Sequence, residues 1–68
     1  MRYFDFEKAG REAGISDDEL NRLARLFTLE EPHDPMLAEL HTLRACMAIK
    51  NGRTTIEEAL AEAAKLAA

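Results

Sequence analysis

Gly14-Ile15-Ser16-Asp17-Asp18-Glu19-Leu20 is the stretch that decides the fold. Ser16 and Glu19 have the spacing of a capping box. The serine oxygen accepts from the N–H of the third helical residue, and the glutamate reaches back to the serine N–H. Ile15 before the cap and Leu20 at the fourth helical position form a hydrophobic staple, which fixes how the chain enters the helix. Asp17, Asp18 and Glu19 put negative charge at the positive end of the helix dipole. Gly14 is the residue that leaves a preceding helix through left-handed backbone without strain. One helix therefore ends here and another begins.

Reading toward the N-terminus, residues 4–13 form a first helix. Asp5 is its N-cap, and Phe6, Ala9, Gly10 and Ala13 recur at i, i+3, i+4 and i+7. Reading forward, Leu20, Leu23, Ala24 and Phe27 share one face of the second helix; Leu26 lies off that face and Leu29 follows at the end. Glu30-Glu31-Pro32-His33-Asp34-Pro35 is a linker. Asp34 and Pro35 read as N-cap and first helical residue, where the missing proline N–H costs nothing. The third helix covers 35–51. Met36, Leu40, Leu43 and Met47 form its main stripe with Leu37 beside them; Ala38, Ala45 and Ile49 form a second stripe nearly opposite. Asn51-Gly52 closes it. Thr54-Thr55-Ile56-Glu57 is a second capping box, and residues 55–66 form the last helix, with Ile56, Ala59, Leu60, Ala63, Leu66 and Ala67 on one face. The short connection pairs the third and fourth helices as an antiparallel hairpin.

Composition agrees. There is no Val among the 68 residues, and Ala, Leu, Glu and Arg dominate; these residues lose little side-chain entropy in a helix. The expected fold is all-α: a compact bundle of four short helices in a single domain, 1–68. Twelve of the apolar residues are Ala, so the core is thin. Cys46 stands alone, which excludes a disulfide within the chain. Nine basic residues against 13 acidic give a net charge of −4. That balance disfavours nonspecific binding to nucleic acid or anionic membrane. MRYFDFEKAG has no apolar core of an export signal, and no apolar run approaches the roughly 18 residues of a membrane span. With the lone thiol, a cytoplasmic location is expected.

The groups that could carry chemistry are few. His33 and His41 lie near Glu30, Glu31, Asp34 and Glu39, but no His-x3-His spacing puts two imidazoles on one helical face. Cys46 and His41 are five residues apart, about 140° around a helix, which separates thiol from base. No glycine-rich loop follows a strand, and the single serine, Ser16, is spent on a cap. No enzyme activity, metal or cofactor is expected.

Residues 6–25 resemble the helix-turn-helix of DNA-binding regulators. Gly10 takes the small-residue place on the first helix and Gly14 stands in the turn. Ala9, Ala13, Ile15, Leu20 and Leu23 fill the apolar places. The family usually has Ala where this chain has Gly10. The resemblance implies that the helix from Asp17 enters the major groove, with Asp17, Asp18, Asn21, Arg22 and Arg25 facing the bases. Charge opposes it: residues 4–28 carry Lys8, Arg11, Arg22 and Arg25 against Asp5, Glu7, Glu12, Asp17, Asp18 and Glu19.

The function expected from the sequence is a small interaction module, an adaptor or regulator that acts by binding another protein. Its candidate interface is Arg22, Arg25, Leu26, Leu29, Ala45 and Ile49. It is expected to self-associate as a two-fold dimer through the third and fourth helices, because the third is apolar on two sides and the fourth has an alanine-rich face, in a chain too small to hide both. The alternatives are the DNA-binding regulator and a subunit that folds only within a larger assembly.

Overall fold

The computed structural model describes residues 3–68; Met1 and Arg2, part of the stretch read for an export signal, lie outside them. Among the described residues the chain forms four helices and no strand: α1 (Phe6–Glu12), α2 (Asp17–Glu30), α3 (Pro35–Lys50) and α4 (Ile56–Ala67). No helix among them is long and apolar enough to cross a membrane.

Each helix begins where a side chain can satisfy a free N–H. Asp5 accepts from Lys8 N at 3.1 Å, and Asp34 from Leu37 N at 3.0 Å. At Ser16 the box is complete: Glu19 N donates to Ser16 Oγ at 3.2 Å and Ser16 N to Glu19 Oε1 at 3.4 Å. α1 and α3 end in the same Schellman turn. Gly14 N reaches Arg11 O and Ile15 N reaches Gly10 O; Gly52 N reaches Ile49 O and Arg53 N reaches Ala48 O. Gly14 and Gly52 stand at φ 77° and 76°, the left-handed region that a side chain resists.

Two helix starts differ from the sequence reading. Phe4 precedes α1 rather than opening it; its N–H, like that of Tyr3, is held by Glu39 Oε1 of α3, at 3.0 and 2.8 Å. The α4 cap is Thr55 with Glu58, one residue later than expected. Arg53 N is committed to closing α3, so Thr54 serves to leave that turn and Thr55 is the first extended residue free to cap.

Two cores hold the helices. In one, Leu23 and Phe27 of α2 meet Ala38 of α3 and Ala59 and Ala63 of α4. In the other, Phe6, Ile15 and Leu20 close over Cys46. The chief packing pairs are α2 with α4, α1 with α3, and α2 with α3. α4 thus lays its alanine face on α2, although the loop joins it to α3. Small residues on one side allow that close approach. α3 with α4, the antiparallel hairpin expected from the short connection, is not among the chief packing pairs.

The α3 stripe is also different. Its buried line is Ala38, Thr42 and Cys46, while Met36 and Met47 are 51% and 50% exposed. α3 is packed by α1 and by α2, so the line between them must be small for both to approach. Thr42 fits there because its hydroxyl donates to Ala38 O at 2.9 Å, which removes the penalty of burying it.

The radius of gyration, 10.7 Å, matches the ~11 Å of a compact chain this long. The accessible surface is 4559 Å². An unfolded chain of 7.6 kDa exposes about 11,000 Å². Folding therefore hides about 60%, which leaves only about 3–5 kcal/mol of stability for so small a core.

Candidate functional site

The six residues expected at an interface separate into two groups. Ala45 and Ile49 are partly buried and pack against the internal cores, Ile49 against both. They help complete the interior of α3 and leave only part of each side chain to solvent. Arg22, Arg25, Leu26 and Leu29 stay together on α2. Arg22, Arg25 and Leu26 line a groove of about 320 Å³ with Leu60 and Ala64 of α4. Leu29 is 61% exposed and lies one turn beyond Arg25 and Leu26 on the same face.

The groove follows from how α2 is used. Leu20, Leu23 and Phe27 point inward. Leu26 sits at the edge of that face, partly covered by the first core, with the arginines beyond it. α4 contributes Leu60 at its own edge, and Ala64 leaves a depression because its side chain stops at Cβ. Neither arginine has an ion pair or a hydrogen-bond partner among the described residues. Sequence reasoning named the α2 half of this surface and missed Leu60 and Ala64. Periodicity places Leu60 on the apolar face of the last helix without giving which helix that face meets, and Ala64 stands outside that stripe.

A second groove lies between α1 and α3, lined by residues that include Lys8, Glu12, Leu43, Met47 and Lys50. Lys50 Nζ bonds Glu12 Oε1 across it at 3.0 Å. That hydrogen bond, and then the lysine charge, hold the Glu12 carboxyl below its ordinary value. A depressed carboxyl supports the fold above the ordinary glutamate range and loses that support as pH falls through the folded value. Both side chains are well exposed, so the support is small.

His41 is half-buried and meets the Phe27 ring edge-on, with centroids 5.6 Å apart. Its Nδ1 lies 4.0 Å from Glu30 Oε1. No group of three or more His, Cys, Asp or Glu that could hold a metal ion occurs among the described residues.

Cys46 is fully buried, with its thiol 3.9 Å from Phe6 O. Burial pushes the thiol pKa up, so the reactive thiolate is scarce at neutral pH. A bulky disulfide reagent should therefore modify Cys46 only as fast as the protein opens, and denaturant should accelerate the reaction strongly. Immediate modification of the folded protein would contradict this placement.

α1 and α2 are not among the chief packing pairs, but they meet at one point. α1 and α2 approach so closely at Gly10 that a Cβ built there would lie 2.8 Å from Leu20 Cδ2. The end of α2 that would face DNA carries exposed Asp17 and Asp18. Comparison with protein-family models, curated proteins and solved structures finds no match to this chain. The fold and surface together define a class only: a four-helix domain with a basic-rimmed apolar groove.

Proposed function

We propose that this protein is a small helical interaction module whose contact surface is the α2–α4 groove. The observation that carries the reading is the pair Arg22 and Arg25, unpaired among the described residues in a chain of 13 acidic residues and set beside the apolar edge of Leu26, Leu60 and Ala64. Arginine beside apolar anchors is a composition favoured at protein interfaces. The proposed role is that of an adaptor or regulator acting in the cytoplasm.

The test is affinity capture from native extract with the wild-type chain and with an Arg22→Glu, Arg25→Glu, Leu29→Asp variant, read by mass spectrometry. Wild type should hold a defined set of proteins that the variant loses at unchanged helicity. Equal capture by both would remove the groove from the function. Self-association through α3 and α4 has a weaker motive than the sequence suggested, because Ala59 and Ala63 are spent on α2. Exposed Met36, Met47 and Leu66 are the apolar residues left for it. A light-scattering mass near 7.6 kDa at high concentration would reject it.

A second reading, DNA binding through α2, draws support from the close α1–α2 crossing at Gly10. The charge count opposes it. Residues 4–28 carry four basic against six acidic groups, a net of −2. Nonspecific binding comes from phosphate neutralisation, and even competent binders reach only about 10⁻⁴ to 10⁻⁶ M. Fluorescence anisotropy with a mixed-sequence duplex should show no binding at low micromolar protein and low salt. Saturable, salt-sensitive binding that disappears in an Arg22→Ala, Arg25→Ala variant would promote this reading over the first.

A further inference from the structure

The chemistry of the α2–α4 groove narrows what it can hold. We infer that it receives an acidic amphipathic segment of another protein, with apolar side chains on Leu26, Leu60 and Ala64 and carboxylates on Arg22 and Arg25. The inference rests on the interaction-module reading.

Charge complementarity is the first argument. Arginine presents a planar fork that takes a carboxylate through two parallel hydrogen bonds. Two such forks border one groove, and neither is engaged by a carboxylate among the described residues. Asp18 lies on the same face one turn before Arg22, yet no ion pair joins them. The second argument is the apolar edge. Leu26 and Leu29 are one helical turn apart on α2, and Leu29 is largely exposed. A partner with apolar residues at a helical or alternating spacing can cover both while its acidic residues reach the rim.

Other occupants fit less well. A second copy docking by two-fold symmetry would bring Arg22 and Arg25 of both chains into one small contact, four guanidinium groups with Asp18 as the countercharge on that face of α2. A nucleic acid would satisfy the arginines but leave the leucines uncovered, and Asp17 and Asp18 would repel its phosphates.

The full chain, labelled with ¹⁵N, would be titrated to about 1 mM with a synthetic peptide carrying Leu at i, i+4 and i+7 and Glu at the flanking positions. Two control peptides replace every Glu by Lys or every Leu by Ser. The acidic amphipathic peptide should shift the amides of Arg22, Leu26, Leu60 and Ala64, and both controls should leave them in place. Arg22→Ala with Arg25→Ala should weaken binding about fivefold to tenfold, and more at low salt. Leu29→Ala, on an exposed site that spares the fold, should weaken it about fivefold. Equal binding of the lysine peptide would overturn the acidic partner while leaving the interaction module standing. Silence of the groove toward all three peptides would overturn the inference, as would shifts of these amides with protein concentration alone, which would identify a second copy. The interaction-module reading fails separately, if extract capture does not depend on the groove.

Discussion

Leu23→Ala should leave the protein largely unfolded at 25 °C. Leu23 is fully buried where α2, α3 and α4 meet. Three of the four buried residues around it are Ala38, Ala59 and Ala63. An alanine has no side-chain torsion with which to swing into a hole, so the cavity would persist. Leucine-to-alanine changes cost about 2–5 kcal/mol, rising with the cavity left behind. The buried alanines cannot fill the hole, and Phe27 with the partly buried Leu26, Ile49, Ile56 and Leu60 can close it only in part, which places the loss toward the upper half of that range. The whole fold has only about 3–5 kcal/mol to lose. Leu29→Ala on the same helix should change stability by less than about 0.5 kcal/mol, since Leu29 is exposed. Far-UV circular dichroism with urea and thermal melts, at one protein concentration, would compare the two. A Leu23→Ala protein that melts within a few degrees of wild type would refute the core described here, because 3 kcal/mol corresponds to more than about 12 °C in a domain this small.

What could be read from the sequence was what is local. Ser16 with Glu19, Asp34 with Pro35, and Gly14 each act within a few residues, and the chemistry that makes them caps is written in their order. The α4 cap was ambiguous for the same reason. Thr54 with Glu57 and Thr55 with Glu58 have identical spacing, and only the closing of α3 by Arg53 N separates them. The buried line of α3 was obscured by side-chain size. Met36, Leu40, Leu43 and Met47 form the more apolar stripe, but the space between α1 and α2 admits Ala38, Thr42 and Cys46. A threonine also looks polar until its hydroxyl is seen to bond its own helix. The groove was half legible. Arg22, Arg25, Leu26 and Leu29 stand apart from the inward face of α2 by helical angle alone. Leu60 and Ala64 joined them only when α4 crossed to α2, and no periodicity encodes that choice.

Gly10→Val should be the other severe substitution, and its effect should depend on Leu20. The Cβ built at Gly10 lies 2.8 Å from Leu20 Cδ2 and 3.2 Å from Cδ1, where ordinary carbon contacts are about 3.5–4.0 Å. Leu20 is itself held in the core of Phe6, Ile15 and Cys46, so it has little room to withdraw. For Gly10→Ala two effects of similar size oppose. Alanine is favoured over glycine inside a helix by about 1 kcal/mol, and pushing Leu20 aside costs a comparable amount, so the net change should stay within about 1 kcal/mol. Valine gains less from helix propensity and adds two methyl groups to the same contact. Overpacking costs about 1–3 kcal/mol or more, enough to remove half or more of the stability of this fold. Leu20→Ala would open the space that valine needs. The Gly10→Val, Leu20→Ala double variant should therefore be more stable than the sum of the single losses by more than about 1 kcal/mol, as expected of side chains in direct contact. A double-mutant cycle by urea unfolding measures this coupling. Strict additivity would mean that α1 and α2 do not meet at Gly10. It would also remove the one geometric support for the helix-turn-helix reading.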